Sequence, residues 1–166
     1  MILIIEDEAA LASALSLAAK KLGYTSELCA SGREGLNRLA DAHLVLLDIG
    51  LPDISGLDVL EQARKRAPDV PIIVITAHGT LQNAVTARRL GAAAYLVKPL
   101  NLADLQQAMQ QILATSSPSE RRKHPMAPLT DLLGSTPAMQ RVFLEIAHAT
   151  MTNAPVLLSG PTGTGK

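Results

Sequence analysis

Tryptophan is absent from this chain, which holds one phenylalanine and two tyrosines. Any core must therefore be aliphatic, built from Leu, Ile, Val and Ala, and a hydrophobic content of 48% over 166 residues is enough for one. Cys29 is the single cysteine, which excludes an intramolecular disulfide and suits a reducing compartment. Net charge is absent too. Fifteen basic residues offset 15 acidic ones, which argues against a broad electrostatic footprint for nucleic acid or an anionic membrane. No apolar run reaches the ~20 residues that cross a bilayer. The opening MILIIEDE has no basic segment and no long apolar stretch, so it does not read as a secretion signal. These absences lead to the expectation of a soluble, cytoplasmic protein with no membrane partner.

What is present is an alternation. Residues 2–5 are a short apolar run suited to a buried strand. Leu11, Leu15, Ala18 and Leu22 then recur at helical spacing, and Gly23 ends that helix. A weaker strand over 26–30 is followed by a helix over 32–40 with Leu36 and Leu39 on one face. A third strand over 44–47 ends in Asp48, and Leu57, Leu60 and Ala63 mark a third helix closed by Pro68. A fourth strand over 72–75 ends at Thr76, before a helix over 80–90 with a poor apolar stripe, ended by Gly91. A fifth strand over 94–97 ends at Lys98 and Pro99, and Leu102, Leu105, Met109 and Ile112 give the fifth helix a clean stripe. Strands without polar alternation are covered on both faces. Five strand–helix units of this kind predict an α/β protein with a parallel, doubly wound sheet.

In such a sheet, ligands sit at the carboxyl ends of the strands. Those ends carry Glu6 and Asp7, then Asp48, then Thr76, then Lys98. Three carboxylates at one rim repel one another, and each resists ionisation. A hard divalent cation relieves that repulsion, and Mg²⁺ favours carboxylate, water and phosphate oxygens. An ammonium and a hydroxyl on the same rim complete a place for a phosphoryl group. The residues therefore point to a carboxylate that accepts phosphate with the help of Mg²⁺.

The segments IIEDE, LLDIGLPDISG, ITAHG and YLVKP follow one another in this order. On these motifs, residues 1–113 resemble the receiver domain of two-component response regulators. The resemblance implies a flavodoxin-like sheet of strand order 2-1-3-4-5. It implies that Asp48 is the phosphoacceptor, attacking the phosphohistidine of a sensor histidine kinase. Covalent catalysis by a carboxylate asks for in-line geometry and charge neutralisation more than for a strong base. Asp7, Asp48 and the backbone carbonyl of Gly50 would ligate Mg²⁺, with Glu6 acting on or through its waters. Lys98 would pair with one phosphoryl oxygen and Thr76 would hydrogen-bond another, drawing its loop inward. Tyr95 stands where the family keeps an aromatic rotamer switch, and Pro52 and Gly56 match the loop after the acceptor. The Lys98–Pro99 bond is implied to be cis. The fourth helix, fifth strand and fifth helix are the family's output face, so the poor stripe over 80–90 reads as a partner surface, with a homodimer forming through it. Two departures stand out: Glu6 replaces the commoner Asp, and Gly50 and His78 occupy positions that tune dephosphorylation.

Residues 114–128, ATSSPSERRKHPMAP, lose the apolar period and read as a linker whose Arg121, Arg122 and Lys123 are solvated. In 129–166, Ser135 or Thr136 can cap a helix that begins at Pro137, with Met139, Val142, Phe143 and Ile146 on its face. A strand over 155–159 leads into Gly160-Pro-Thr-Gly-Thr-Gly-Lys166, the spacing of a phosphate-binding loop. In such a loop backbone amides cradle phosphates and the lysine reaches the outer ones. This segment resembles the opening of the AAA+ ATPase domain of NtrC-type, sigma-54-dependent activators, with Pro161-Thr162 where Glu-Ser is usual. The resemblance implies a longer parent with receiver, linker, AAA+ and helix-turn-helix parts. ATP would bind the parent at Gly160, Gly163, Gly165 and Lys166, and its partners would be sigma-54 RNA polymerase and DNA. The present sequence reaches only the Walker A motif, so it is expected not to hydrolyse ATP. Its last segment is expected to be disordered or packed on a neighbouring chain.

Single residues have plainer readings. Asp7 can cap a helix, Asp48 can start a turn, Cys29 suits a core, and His43, His124 and His148 lack metal-ligand spacing. The joint occurrence of the rim residues favours the switch. Two other functions compete with it. One is a nucleotide-binding P-loop ATPase fragment on a passive receiver scaffold. The other is a flavodoxin-like cofactor binder, which the scarcity of stacking aromatics and the acidic rim oppose.

Overall fold

The computed structural model describes residues 1–114 except His78, together with Val142, Glu145 and Ile146. Apart from those, the expected linker and the segment 129–166 lie outside the described residues, as do Gly160, Gly163, Gly165, Lys166 and the positions of His124 and His148.

The elements in chain order are β1 Ile2–Ile5, α1 Ala9–Lys21, β2 Ser26–Cys29, α2 Gly32–Asn37 and β3 Leu44–Asp48. They continue as α3 Gly56–Arg66, β4 Ile72–Thr76, α4 Leu81–Arg89, β5 Ala94–Val97 and α5 Leu102–Ala114. All five strands are parallel, in the order β2-β1-β3-β4-β5. This is the doubly wound, flavodoxin-like α/β arrangement expected from the sequence.

The alternation of side chains across the sheet builds two cores. Leu3, Ile5, Val45, Leu47, Ile72 and Val74 face α2, α3 and α4, whereas Ile2, Ile4, Leu44, Leu46, Ile73 and Ile75 face α1 and α5. Every residue of β1, β3 and β4 is buried. Burying one such aliphatic side chain stabilises the fold by roughly 1.5–3 kcal/mol, so these runs dominate its energetics. Cys29 is part of the same core, and burial pushes its thiol up to about 11, which keeps it in the protonated form near neutral pH.

Three local expectations are corrected. The helix over 32–40 is broken into α2 and a 3-10 turn, Leu39–Asp41. Arg38 N–H bonds back to Gly35 O at 3.0 Å, a three-residue step that closes α2 early, yet Leu36 and Leu39 are both buried as their spacing foretold. β2 ends at Cys29 rather than at residue 30. The stripe of α5 begins at Leu105 and Met109, because Leu102 is 42% exposed. The weak pattern of α4 also has a physical account. Among its described side chains the buried ones are Ala84 and Ala87, too small to mark a stripe. Gly23 and Gly91 adopt φ of 84° and 92°, the left-handed turn that lets the chain leave α1 and α4 at low cost.

Candidate functional site

Parallel register brings the strand ends into line. Ile5 stands beside Leu47, Asp48 beside Ile75, and Thr76 beside Val97. The next residue after β1 and after β5 is then Glu6 and Lys98, so Glu6, Asp48, Thr76 and Lys98 share one rim. Glu6, Asp48 and Thr76 are 3%, 5% and 3% exposed, the buried polar residues among those described.

Lys98 connects the cluster. Its Nζ donates to Asp48 Oδ2 at 2.7 Å and to Glu6 Oε1 at 3.1 Å. Its backbone N–H donates to Thr76 O at 2.7 Å, which extends the β4–β5 ladder by one step, and the Lys98–Pro99 peptide is cis. Asp48 Oδ1 accepts a second bond from Gly50 N–H at 2.9 Å, so Asp48 also opens a turn, as its plainer reading proposed. Gly56 closes that loop. A Cβ there would collide with the Asp48 carbonyl and the Ile49 Cα, so only glycine lets α3 start so close to β3.

Asp7 is exposed and does not cap α1, because Glu8 holds the N-cap position without a side-chain bond. Carboxylate oxygens of Glu6, Asp7 and Asp48 lie within 4.8 Å of one another. Three carboxylates therefore face one ammonium. Burial pushes the Glu6 carboxyl above its ordinary value and Asp48 adds to this, although Lys98 and the Glu8 amide pull it down. Burial likewise pulls the Lys98 ammonium down, but its bonds and proximity to Asp48 and Glu6 outweigh that and leave it raised. Glu6 Oε2 is buried without a hydrogen-bond partner, although Lys98 Nζ lies 3.0 Å away. Hard oxygen donors and excess negative charge are the features that a small divalent cation satisfies, so this site fits Mg²⁺.

Thr76 and Tyr95 join this rim. Burial raises the Tyr95 phenol to about 12, against a hydrogen bond with the Thr76 side chain that lowers it. Tyr95 is 4% exposed, so its ring lies inside the core on the α4 side rather than in solvent. His78 lies outside the described residues.

The profile of the response regulator receiver domain matches residues 2–110. The chain belongs to the receiver domain family. Two curated relatives carry the likeness along nearly the whole chain. The transcriptional regulatory protein ZraR of Escherichia coli is 32% identical over 168 residues, covering 99% of this chain and 38% of that protein. The DNA-binding transcriptional regulator NtrC of Escherichia coli is 34% identical over 170 residues, covering 98% of this chain and 36% of that protein. The chain thus spans little more than a third of the length of these relatives. Among solved structures, the CheY-like receiver from Methanospirillum hungatei is similar at TM-score 0.66 and 34% identity, covering 69% of this chain and 94% of that one. The receiver of NtrX from Brucella abortus matches at TM-score 0.66 and 28% identity, covering 70% of this chain and 100% of that one.

Proposed function

We propose that residues 1–113 are a phosphorylation switch in which Asp48 accepts a phosphoryl group from the phosphohistidine of a sensor histidine kinase. The observation that carries this reading is the Asp48 carboxylate itself. It is buried at the end of β3, held by Lys98 at 2.7 Å and Gly50 N–H at 2.9 Å, and adjoined by two further carboxylates. An Asp48 oxygen attacks phosphorus, the phosphorus–nitrogen bond of phosphohistidine breaks, and an aspartyl phosphate forms. Lys98 then pairs with a phosphoryl oxygen in place of the carboxylate it now holds. Asp7, Asp48 and the Gly50 carbonyl would hold Mg²⁺ directly, and Glu6 through its waters. When bound, the ion neutralises charge that builds on the transferring group.

Thr76 provides the readout. A phosphoryl oxygen that draws in its hydroxyl competes with Tyr95 for the same group, and this biases the loop after β4 and the face formed by α4, β5 and α5. The phosphoryl group acts by its differential contacts with two pre-existing states. Output is self-association of the receiver as a homodimer through that face.

The wider setting is proposed on the same footing. Residues 114–128 act as a linker and 129–166 open an AAA+ domain. ATP, sigma-54 RNA polymerase and DNA are partners of a longer, cytoplasmic activator, in which residues 1–113 are the switch. Support comes from the glycine loop Gly160, Gly163, Gly165 and Lys166, and from the likeness to the regulators ZraR and NtrC. No helix among the described residues is long and apolar enough to cross a membrane.

The test is molar mass by light scattering with Mg²⁺ and beryllofluoride, a mimic of the phosphoryl group. The chain should shift toward a dimer, and Asp48→Asn should abolish the shift while retaining the native circular dichroism. A response retained by Asp48→Asn would sink the assignment of Asp48.

A further inference from the structure

The loop between β3 and α3 carries a carboxylate that sequence reading passes over. Asp53 Oδ1 accepts a hydrogen bond from Gly32 N–H at 2.8 Å, and Oδ2 accepts one from Arg33 N–H at 3.0 Å. These are the opening amides of α2, groups that a helix start leaves without intrahelical partners. The bonds from Arg33 and Gly32 hold the Asp53 carboxyl below its ordinary value. One side chain from a loop thus covers the start of a helix some twenty residues earlier in the chain.

The backbone of that loop is fastened at its ends, and Leu51 and Ile54 pack against the core. Ile49 N–H donates to Ile75 O at 3.0 Å, and Gly56 N–H donates to Ile49 O at 3.1 Å. Between them Gly50, Pro52 and Asp53 are exposed, so packing reaches this crest only through their half-buried neighbours Leu51 and Ile54. By contrast α2 is firmly seated. A Cβ on Gly35 would run into Ile5, and one on Gly32 would meet Val59 at 2.6 Å and Ile54 at 2.7 Å. Asp53 therefore adds a polar tie between the exposed crest and a fixed post. The same crest carries Gly50, whose N–H bonds Asp48 Oδ1.

We propose that Asp53 is a positioning residue for the cation site: its paired bonds to Gly32 and Arg33 set the Gly50 peptide and, through it, the Asp48 carboxylate. This rests on the reading of Gly50 and Asp48 as Mg²⁺ ligands. Asp53 touches neither the ion nor the phosphoryl group. It acts by lowering the freedom that the Gly50 carbonyl loses when it ligates, so its removal weakens cation binding more than phosphoryl transfer at saturating cation.

Calorimetric titration of the whole chain with Mg²⁺ tests this. Asp53→Ala should weaken the Mg²⁺ Kd by about 10-fold, the lower end of the range for groups that orient metal ligands. At saturating Mg²⁺, its rate of phosphorylation by a small acyl-phosphate donor should stay within about 2-fold of the parent, because the orientation lost is restored once the ion is bound. Asp53→Asn, which keeps an acceptor oxygen, should recover part of the affinity. Ser31→Ala removes the other cap of α2 and should leave the Kd unchanged. Equal weakening by Ser31→Ala would place the effect in α2 stability, and Asp53→Asn as weak as Asp53→Ala would place it in the lost charge; either overturns the proposal. A parent chain that binds Mg²⁺ while Asp53→Ala binds it equally well overturns this inference alone. A parent chain that does not bind Mg²⁺ overturns the metal site and this inference with it.

Discussion

Glu6 and Asp48 are buried and the half-buried Lys98 contacts both, whereas Asp7 and Gly50, at the same rim, are exposed. The buried part is already assembled. Its ammonium sits on two carboxylates, and its geometry is imposed by the register of β1, β3, β4 and β5. The exposed part lies on loops and is tied to the buried part by the Gly50 N–H bond to Asp48. The difference teaches how a switch can be both specific and loadable. On the proposed function, the buried charges would define where a phosphoryl group sits, and the open ones would let an ion and a donor enter.

Removing the ammonium should break the buried part most severely. Lys98→Ala leaves Glu6 and Asp48 facing each other without a counter-charge, a change expected to cost about 3 kcal/mol. Urea unfolding in EDTA measures it. The raised folded value of Lys98 means that its contribution is present below pH 10.5 and fades as pH rises through the folded value. An unfolding free energy unchanged by Lys98→Ala would show that the pair carries no stability.

A smaller effect, of opposite sign, is expected at Glu6. Its folded value is raised from 4.5, so its ionisation opposes folding. This group favours the fold below pH 4.5 and ceases to do so as pH rises through the folded value. Glu6→Gln should therefore stabilise the chain at pH 7 in EDTA and flatten that limb of the stability–pH curve. In excess Mg²⁺ the ranking should reverse, because bound cation stabilises the parent more. Thermal melts with and without Mg²⁺ read both. Destabilisation by Glu6→Gln in EDTA would mean that the Lys98 pair, not burial, dominates there.

The smallest stability effect belongs to Asp7. Exposed and without a capping role, it should change unfolding by less than about 0.5 kcal/mol in EDTA when replaced by Asn. Its Mg²⁺ affinity should nonetheless fall by calorimetry. A large loss of stability without loss of Mg²⁺ binding would reverse the contrast between the two parts of the site.

Much of this was legible beforehand. Runs such as LVLL and IIVI, short and bounded by turn residues, read as strands covered on both faces, and those turns set five units in order. Because strand ends share one rim, Glu6, Asp7, Asp48, Thr76 and Lys98 could be grouped from chain position alone. The break after α2 and the exposure of Leu102 were not legible, since a three-residue backbone bond and the reach of neighbouring helices leave no periodic trace. Asp53 was overlooked for the same reason. A carboxylate beside proline reads as an ordinary turn residue, and its partners are amides, which every residue has.

The sequence by itself determined the class of fold, the order of its elements and the residue types at the rim, because hydrophobic period and turn chemistry are local. Only the tertiary structure decided which of those residues touch. It put Lys98 on Asp48 and Glu6, left Asp7 in solvent, turned Tyr95 inward to Thr76 and tied Asp53 to α2. Those contacts join residues far apart in the chain, and their distances depend on strand register and helix seating, which come into being only when the two cores close around the sheet.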